Sequence, residues 1–193
     1  MGFEIFWEIV ETKRNKDWEK YLTSVRKSGS SCGALVEIVV KGVPAGIGEP
    51  IYGKLDAELA SALMGINAVK GVEIGSGFKV VSMSGETNSD EISINKKGTV
   101  KFLSNNAGGI LGGISSGQDI LCKLAVKPTS SILAYQKTID INNSNTKIRT
   151  KGSLPAGNMF NSLFDKLNVV VRSAVGSLYY IIFTLIVINY TRR

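Results

Sequence analysis

The sequence predicts an α+β fold built mainly from antiparallel sheet, and three observations carry that reading. "GALVEIVVKGVP" alternates apolar and polar residues in the manner of a half-buried strand. "KLDAELASALMGI" repeats apolar residues at helical spacing. The remaining strand-like segments follow one another in pairs and do not alternate with helices, so the order reads β, α, β-β, β-β. At 193 residues, 44% hydrophobic and 20% charged, the chain is long enough for one real core.

Taken in order, "KDWEKYLTSVRKSG" sets Trp18, Tyr21, Leu22 and Val25 on one helix face and closes at Gly29. In the strand that follows, Ala34, Val36, Ile38 and Val40 share one face, with Glu37 and Lys41 on the other. "AGIGEPI" is a loop. In the next helix Leu55, Leu59, Ala62, Leu63 and Ile66 form the apolar stripe, and Asp56 and Glu58 stand in the first turn, where the helix dipole favours them. "VKGVEIGSGFKVVSMSG" reads as a strand, a Gly-Ser-Gly turn and a second strand. "TNSDEISINKKGTVKF" is a polar surface excursion, "DILCKLAVKPTSSI" a strand broken at Pro128, and "KTIDINNSNTKIRTKG" a hairpin turning at 142–145.

Composition narrows the chemistry. The net charge of +7 is spread along the chain and is not gathered into a stripe with aromatic residues, which argues against nucleic acid and suits a phosphorylated small molecule. There is no histidine, so Ser-His and Cys-His nucleophile pairs are excluded. Cys32 and Cys122 lack ligand spacing and read as buried reduced thiols, and no metal is expected. The N-terminus lacks a signal-peptide pattern, and Phe6 breaks the myristoylation pattern, so the cytoplasm is the expected compartment.

"SNNAGGILGGISSGQDI" holds five glycines in seventeen residues. Such a run means tight turns, or backbone lying close to something. As a phosphate loop it fails: Gln118 and Asp119 stand where GxxxxGK[ST] needs a lysine and a hydroxyl. GxGxxG is absent too. The competing readings are a bulged crossing between sheets and a ligand site. "KPTSS" leans toward the ligand, because Lys127, Thr129, Ser130 and Ser131 offer a charge, hydroxyls and N–H groups around a fixed Pro128.

"GVPAGIGEPIYGKLDAELASALMGINAVKGVEIGSGF", "SNNAGGILGGISSGQ" and "KPTSSI" together resemble the chorismate synthases, over residues 17–152. The resemblance implies helices between antiparallel sheets, a homotetramer, and a carbon-oxygen lyase of aromatic amino acid biosynthesis. The reaction it implies is 1,4-anti elimination of phosphate from 5-enolpyruvylshikimate 3-phosphate, with reduced FMN as cofactor and NADPH as an associated reductant. It also implies flavin contacts from Asn67 and Ala68, from Gly112, and from Lys127, Pro128, Thr129, Ser130 and Ser131.

The departures are equally specific. The family's G-E-S-H-G segment, its second histidine and its R-S-S/A-R-E-T segment are not in this sequence, and Ser153 stands where an arginine is expected. No catalytic acid or base is therefore assigned. Residues 1–16 and 153–193 depart from the pattern, as the ends of an interrupted gene would. The alternatives are a non-catalytic remnant that self-associates, with unpaired strand edges, or a small protein anchored by residues 173–191. That uncharged segment is near the length of a membrane span, but a core helix or strand is the favoured reading.

Overall fold

A computed structural model describes residues 15–150 and the strand 182–188; for residues 15–19 and 182–188 it describes the backbone alone. Expectations for residues 1–14 and for most of the 153–193 tail lie outside the described residues.

The alternating and helical segments form the elements their periods predict. Helix α1 spans Asn15–Lys27 and ends at Gly29, whose φ of 69° is the left-handed value that stops helices. Strand β1 is Ala34–Lys41, helix α2 is Leu55–Met64, strand β2 is Val69–Ile74 and strand β7, after the intervening hairpins, is Ile120–Val126. With strand β10, Ile182–Ile188, they form one sheet in the order β10-β1-β7-β2, every neighbour antiparallel. Val36, Leu124 and Val72 share one register row, and Ile38, Cys122 and Ile74 share another.

Helix α2 lies on one face of this sheet. Leu55, Leu59 and Leu63, with Ile66 just beyond, pack on Val36, Ile38, Val40, Ile120, Cys122, Leu124, Val126 and Val69. Burying each leucine contributes about 2 kcal/mol. The far side of α2, with Ala57, Glu58 and Ser61, is exposed. On the other face of the sheet Glu37 pairs with Lys123 at 3.2 Å, and Glu73 stands in register with the same lysine.

Three small hairpins and a short helix leave this unit. Helix α3 (Gly85–Asn88) starts at a capping box made by Ser84 and Thr87. Strands β3 (Ile92–Ile94) and β4 (Val100–Phe102) turn the polar excursion into a surface hairpin. Strands β5 (Ile110–Leu111) and β6 (Ile114–Ser115) form inside the glycine run, and β8 (Gln136–Ile139) pairs with β9 (Asn145–Ile148).

One expectation is corrected. The second strand after the Gly-Ser-Gly turn is a 3-10 helix, Gly77–Ser82, that leaves Phe78 and Val81 exposed. Gly75 and Gly77 take positive φ, and Gly75 is held against residues 106–108, so the chain veers off and does not return to pair. Strand β10 pairs with β1 from Leu35 to Lys41, which leaves β10 and β2 as the outer strands of the sheet. Within the apolar run 173–191, residues 182–188 are thus strand. Among the described residues no helix is long and apolar enough to cross a membrane.

Candidate functional site

At the end of the sheet where α2 finishes and β2 begins, the chain makes a sharp bend through Asn67 and Ala68. Ala68 has φ 73°, a left-handed conformation that costs a non-glycine residue about 1–2 kcal/mol. The bend is fixed from both sides: Val69 N–H donates to the Ile66 carbonyl at 3.2 Å, and the Ala68 carbonyl accepts from Lys127 N–H at 2.9 Å. A β-bulge at Val69–Gly71 follows at once. The structure therefore joins two of the three candidate segments, 67–68 and 127–131, through one backbone hydrogen bond.

The loop 127–131 is held from beneath by a segment that sequence reasoning missed. Ser31 Oγ donates to the Thr129 carbonyl at 2.6 Å. A Cβ at Gly33 would lie 2.7 Å from the Val126 carbonyl oxygen and 3.2 Å from Pro128 Cδ, so only glycine lets residues 31–33 run against this loop. Leu133 and Ala134 donate N–H groups to the Gly29 carbonyl. The signal for this support was the "SGSSCG" run, but nothing in its local pattern says what it lies against.

Polar groups remain available on the loop. Ser131 N–H donates to Thr129 Oγ1 at 3.3 Å, and the Ser130 carbonyl accepts from Ile132 N–H. Lys127 is exposed, and among the described residues no carboxylate pairs with it. The N–H groups of Thr129 and Ser130 likewise make no hydrogen bond within the described residues. A cation beside two successive free N–H donors suits an anion's oxygens.

The glycine run lies at the other end of β7, about 20 Å away at 3.3–3.4 Å per strand residue. Asp90 organises its start: Oδ1 accepts from Asn106 N–H at 2.7 Å and Ser104 Oγ at 2.6 Å, and Oδ2 from Ala107 N–H at 2.8 Å. Partial burial pushes the Asp90 carboxyl up, but the bonds from Ser104, Ala107 and Asn106 outweigh it and hold its pKa below the usual value. Asn105 braces the same turn, donating to the Asp119 carbonyl at 2.8 Å and accepting from Gly109 N–H at 2.7 Å.

Most of these glycines meet the protein itself. A Cβ on Gly75 would strike the Asn106 carbonyl oxygen, one on Gly108 the Gly75 backbone, and one on Gly113 the Lys54 side chain. The Gly113 carbonyl accepts from Leu55 N–H at 2.9 Å, so the hairpin caps α2, whose N-cap residue Lys54 supplies no side-chain bond. Gly112 differs. Its φ is 58°, and a Cβ there would meet nothing within 4 Å. It stands exposed at the hairpin tip, apart from the 67–68 and 127–131 pair.

Neither thiol is poised for nucleophilic work. Burial pushes Cys122 up to about 12, and partial burial raises Cys32 against a backbone hydrogen bond that lowers it. Among the described residues no group of three His, Cys, Asp or Glu could hold a metal.

An antiparallel sheet backed by α2, with a polar Lys-Pro-Thr loop at one end and a glycine hairpin at the other, places the chain among the α+β proteins. The chorismate synthase family model matches residues 5–160, and the chain belongs to that family. It is 60% identical over 152 residues to the chorismate synthase of Parvibaculum lavamentivorans, covering 79% of this chain and 41% of that one. Against the Paramagnetospirillum magneticum chorismate synthase the identity is 59% over 152 residues, covering 79% of this chain and 42% of the relative. A crystal structure of chorismate synthase superposes with a TM-score of 0.57 at 36% identity, covering 60% of this chain and 35% of the other. The chain thus spans about two fifths of the length of the curated relatives it matches.

Proposed function

We propose that this chain carries part of the flavin cradle of a chorismate synthase and does not turn over substrate by itself. The observation that carries the reading is the Lys127 N–H to Ala68 carbonyl bond, which draws two separately suspected segments into one polar corner. The fit to FMN is chemical. The uncommitted N–H groups of Thr129 and Ser130, the Ser130 and Ser131 hydroxyls and the Lys127 ammonium suit a phosphate or a polar ring edge, while Asn67 adds an amide and Ala68 and Pro128 shape the wall. Gly112 leaves room for a ligand's surface, and one ligand reaches both it and Lys127 only if it is extended along the sheet.

When bound, reduced FMN supplies electron density to the elimination of phosphate from 5-enolpyruvylshikimate 3-phosphate; NADPH is the proposed reductant, and the cytoplasm the proposed compartment. This chain's residues would orient the flavin and counter its charge. Proton movement needs positioned acids, and a lysine normally stays protonated near neutral pH. With no histidine, turnover requires groups that this sequence does not contain. A homotetramer is the assembly proposed from the family, with residues 17–152 as the cradle unit and 1–16 and 153–193 as flanking segments. The test is an anaerobic assay of the purified chain with reduced FMN and substrate, read by chorismate absorbance. No turnover is expected; clear turnover abolished by Lys127→Ala would overturn the proposal and make this a minimal working synthase.

A further inference from the structure

We infer that one face of the β8–β9 hairpin is a second anion site, suited to a soluble diphosphate or longer polyphosphate and separate from the proposed flavin corner. Lys137 of β8 stands opposite Lys147 of β9, and like charges facing each other across a ladder repel. One step toward the root of the hairpin, Arg149 lies over the Tyr135 ring at 5.1 Å. The ring face steadies the guanidinium and leaves its N–H edges to other partners. Strand alternation puts these three cations on one face, and all three are exposed. Among the described residues no carboxylate pairs with any of them. The one acid between Tyr135 and Arg149 is Asp140, whose Oδ1 accepts from Asn142 N–H at 2.8 Å and Ser144 N–H at 2.9 Å and so holds the turn.

Charge and spacing select the ligand. Facing Cα atoms in an antiparallel ladder stand about 4.5–5.5 Å apart, and the arginine position lies about 7 Å further along the strand. A carboxylate balances only one of the three charges. A single phosphate bridges the two ammonium groups, whereas a diphosphate also reaches the guanidinium, whose fork takes two phosphoryl oxygens. A lipid phosphodiester carries one charge per headgroup, so the soluble diphosphate is the closer match. Binding offsets the repulsion between Lys137 and Lys147. The root of the hairpin is anchored, because Thr150 N–H donates to the Ile132 carbonyl at 3.2 Å and Gln136 Nε2 to the Ser130 carbonyl at 3.4 Å. Lys127 belongs to the anchoring loop and not to this face, so the two sites load separately.

Calorimetric titration with sodium pyrophosphate at low ionic strength tests this. It is done on the full chain carrying Lys127→Ala, which removes the cation of the flavin corner and keeps the two readings apart. Saturable binding is expected there, and its absence would overturn the site. Adding Lys137→Gln with Lys147→Gln should weaken it by about tenfold or more. Adding Lys96→Gln with Lys97→Gln instead removes the same charge from the exposed turn of the β3–β4 hairpin, and should change the affinity by less than about twofold. Equal losses in the two double variants would mean that binding follows net charge alone, and would overturn the site. Stability gives a second readout. Lys137→Glu sets opposite charges face to face, so it should raise the melting temperature without ligand and abolish the further rise that pyrophosphate produces. A pyrophosphate-induced rise that survives Lys137→Glu would overturn the site. Phosphatidylglycerol vesicles are the last arm: retention on them with no calorimetric binding of pyrophosphate would assign the face to lipid and overturn the proposal.

Discussion

The backbone N–H of Lys127 donates to the carbonyl of Ala68 at 2.9 Å, tying the end of β7 to the bend that opens β2. Because this bond uses only main chain, the Lys127 side chain is free to act on something else. Its replacement separates ligand binding from folding.

Lys127→Ala should weaken FMN binding by about tenfold to 150-fold, the worth of one charge-assisted hydrogen bond. The thermal transition should stay in place, because the side chain is exposed. Flavin fluorescence titration beside thermal unfolding gives both readings. An unchanged affinity would remove Lys127 from the cradle.

Gly75→Ala and Gly112→Ala should behave differently although both residues have φ near 60°. At Gly112 the space is open, so the cost is the left-handed conformation alone, about 1–2 kcal/mol. At Gly75 the new Cβ runs into the Asn106 carbonyl and the Gly108 backbone, and the cost should exceed about 3 kcal/mol. Chemical denaturation of the two variants measures the gap.

Ser115→Ala should cost about 2–4 kcal/mol. The buried hydroxyl donates to the Pro44 carbonyl at 2.6 Å and accepts from Ile47 N–H at 2.8 Å, and its loss strands both partners. Ser115→Thr, which keeps the hydroxyl, should recover part of the loss in the same denaturation measurement.

Asp90 makes stability depend on acid. Its carboxyl is held below its usual pKa in the folded chain, so its contribution is fully present above the unfolded value near about 4 and is lost as pH falls through the folded value. The stability difference between the natural chain and Asp90→Asn should therefore be largest near pH 6 and shrink toward pH 3. Denaturation at several pH values follows it; a difference that does not change with pH would mean that the charge at Asp90 contributes nothing.

Several elements were legible from local pattern. The period of two in β1 and the Leu55, Leu59, Leu63, Ile66 stripe of α2 mark about half of the core from local pattern alone. Here the sequence pattern is itself the cause, because the apolar face must be buried whatever lies opposite. "GFKVVS" differs: its apolar residues suit a strand, but Gly75 and Gly77 take positive φ and Gly75 lies against residues 106–108, which steers the chain away from the open edge of β2.

The sequence by itself determined the helices and strands of the core, the faces they bury, and the absence of any histidine for acid–base work. Only the tertiary structure decided that Ala68 meets Lys127, that Ser31 and Gly33 support the 127–131 loop, that Gly112 alone among the crowded glycines of its hairpin faces open space, and that residues 182–188 pair with β1. The physical reason is range. Periodicity and turn chemistry act over a few residues, whereas these relationships join segments far apart in the chain, and their partners exist only once the sheet has assembled.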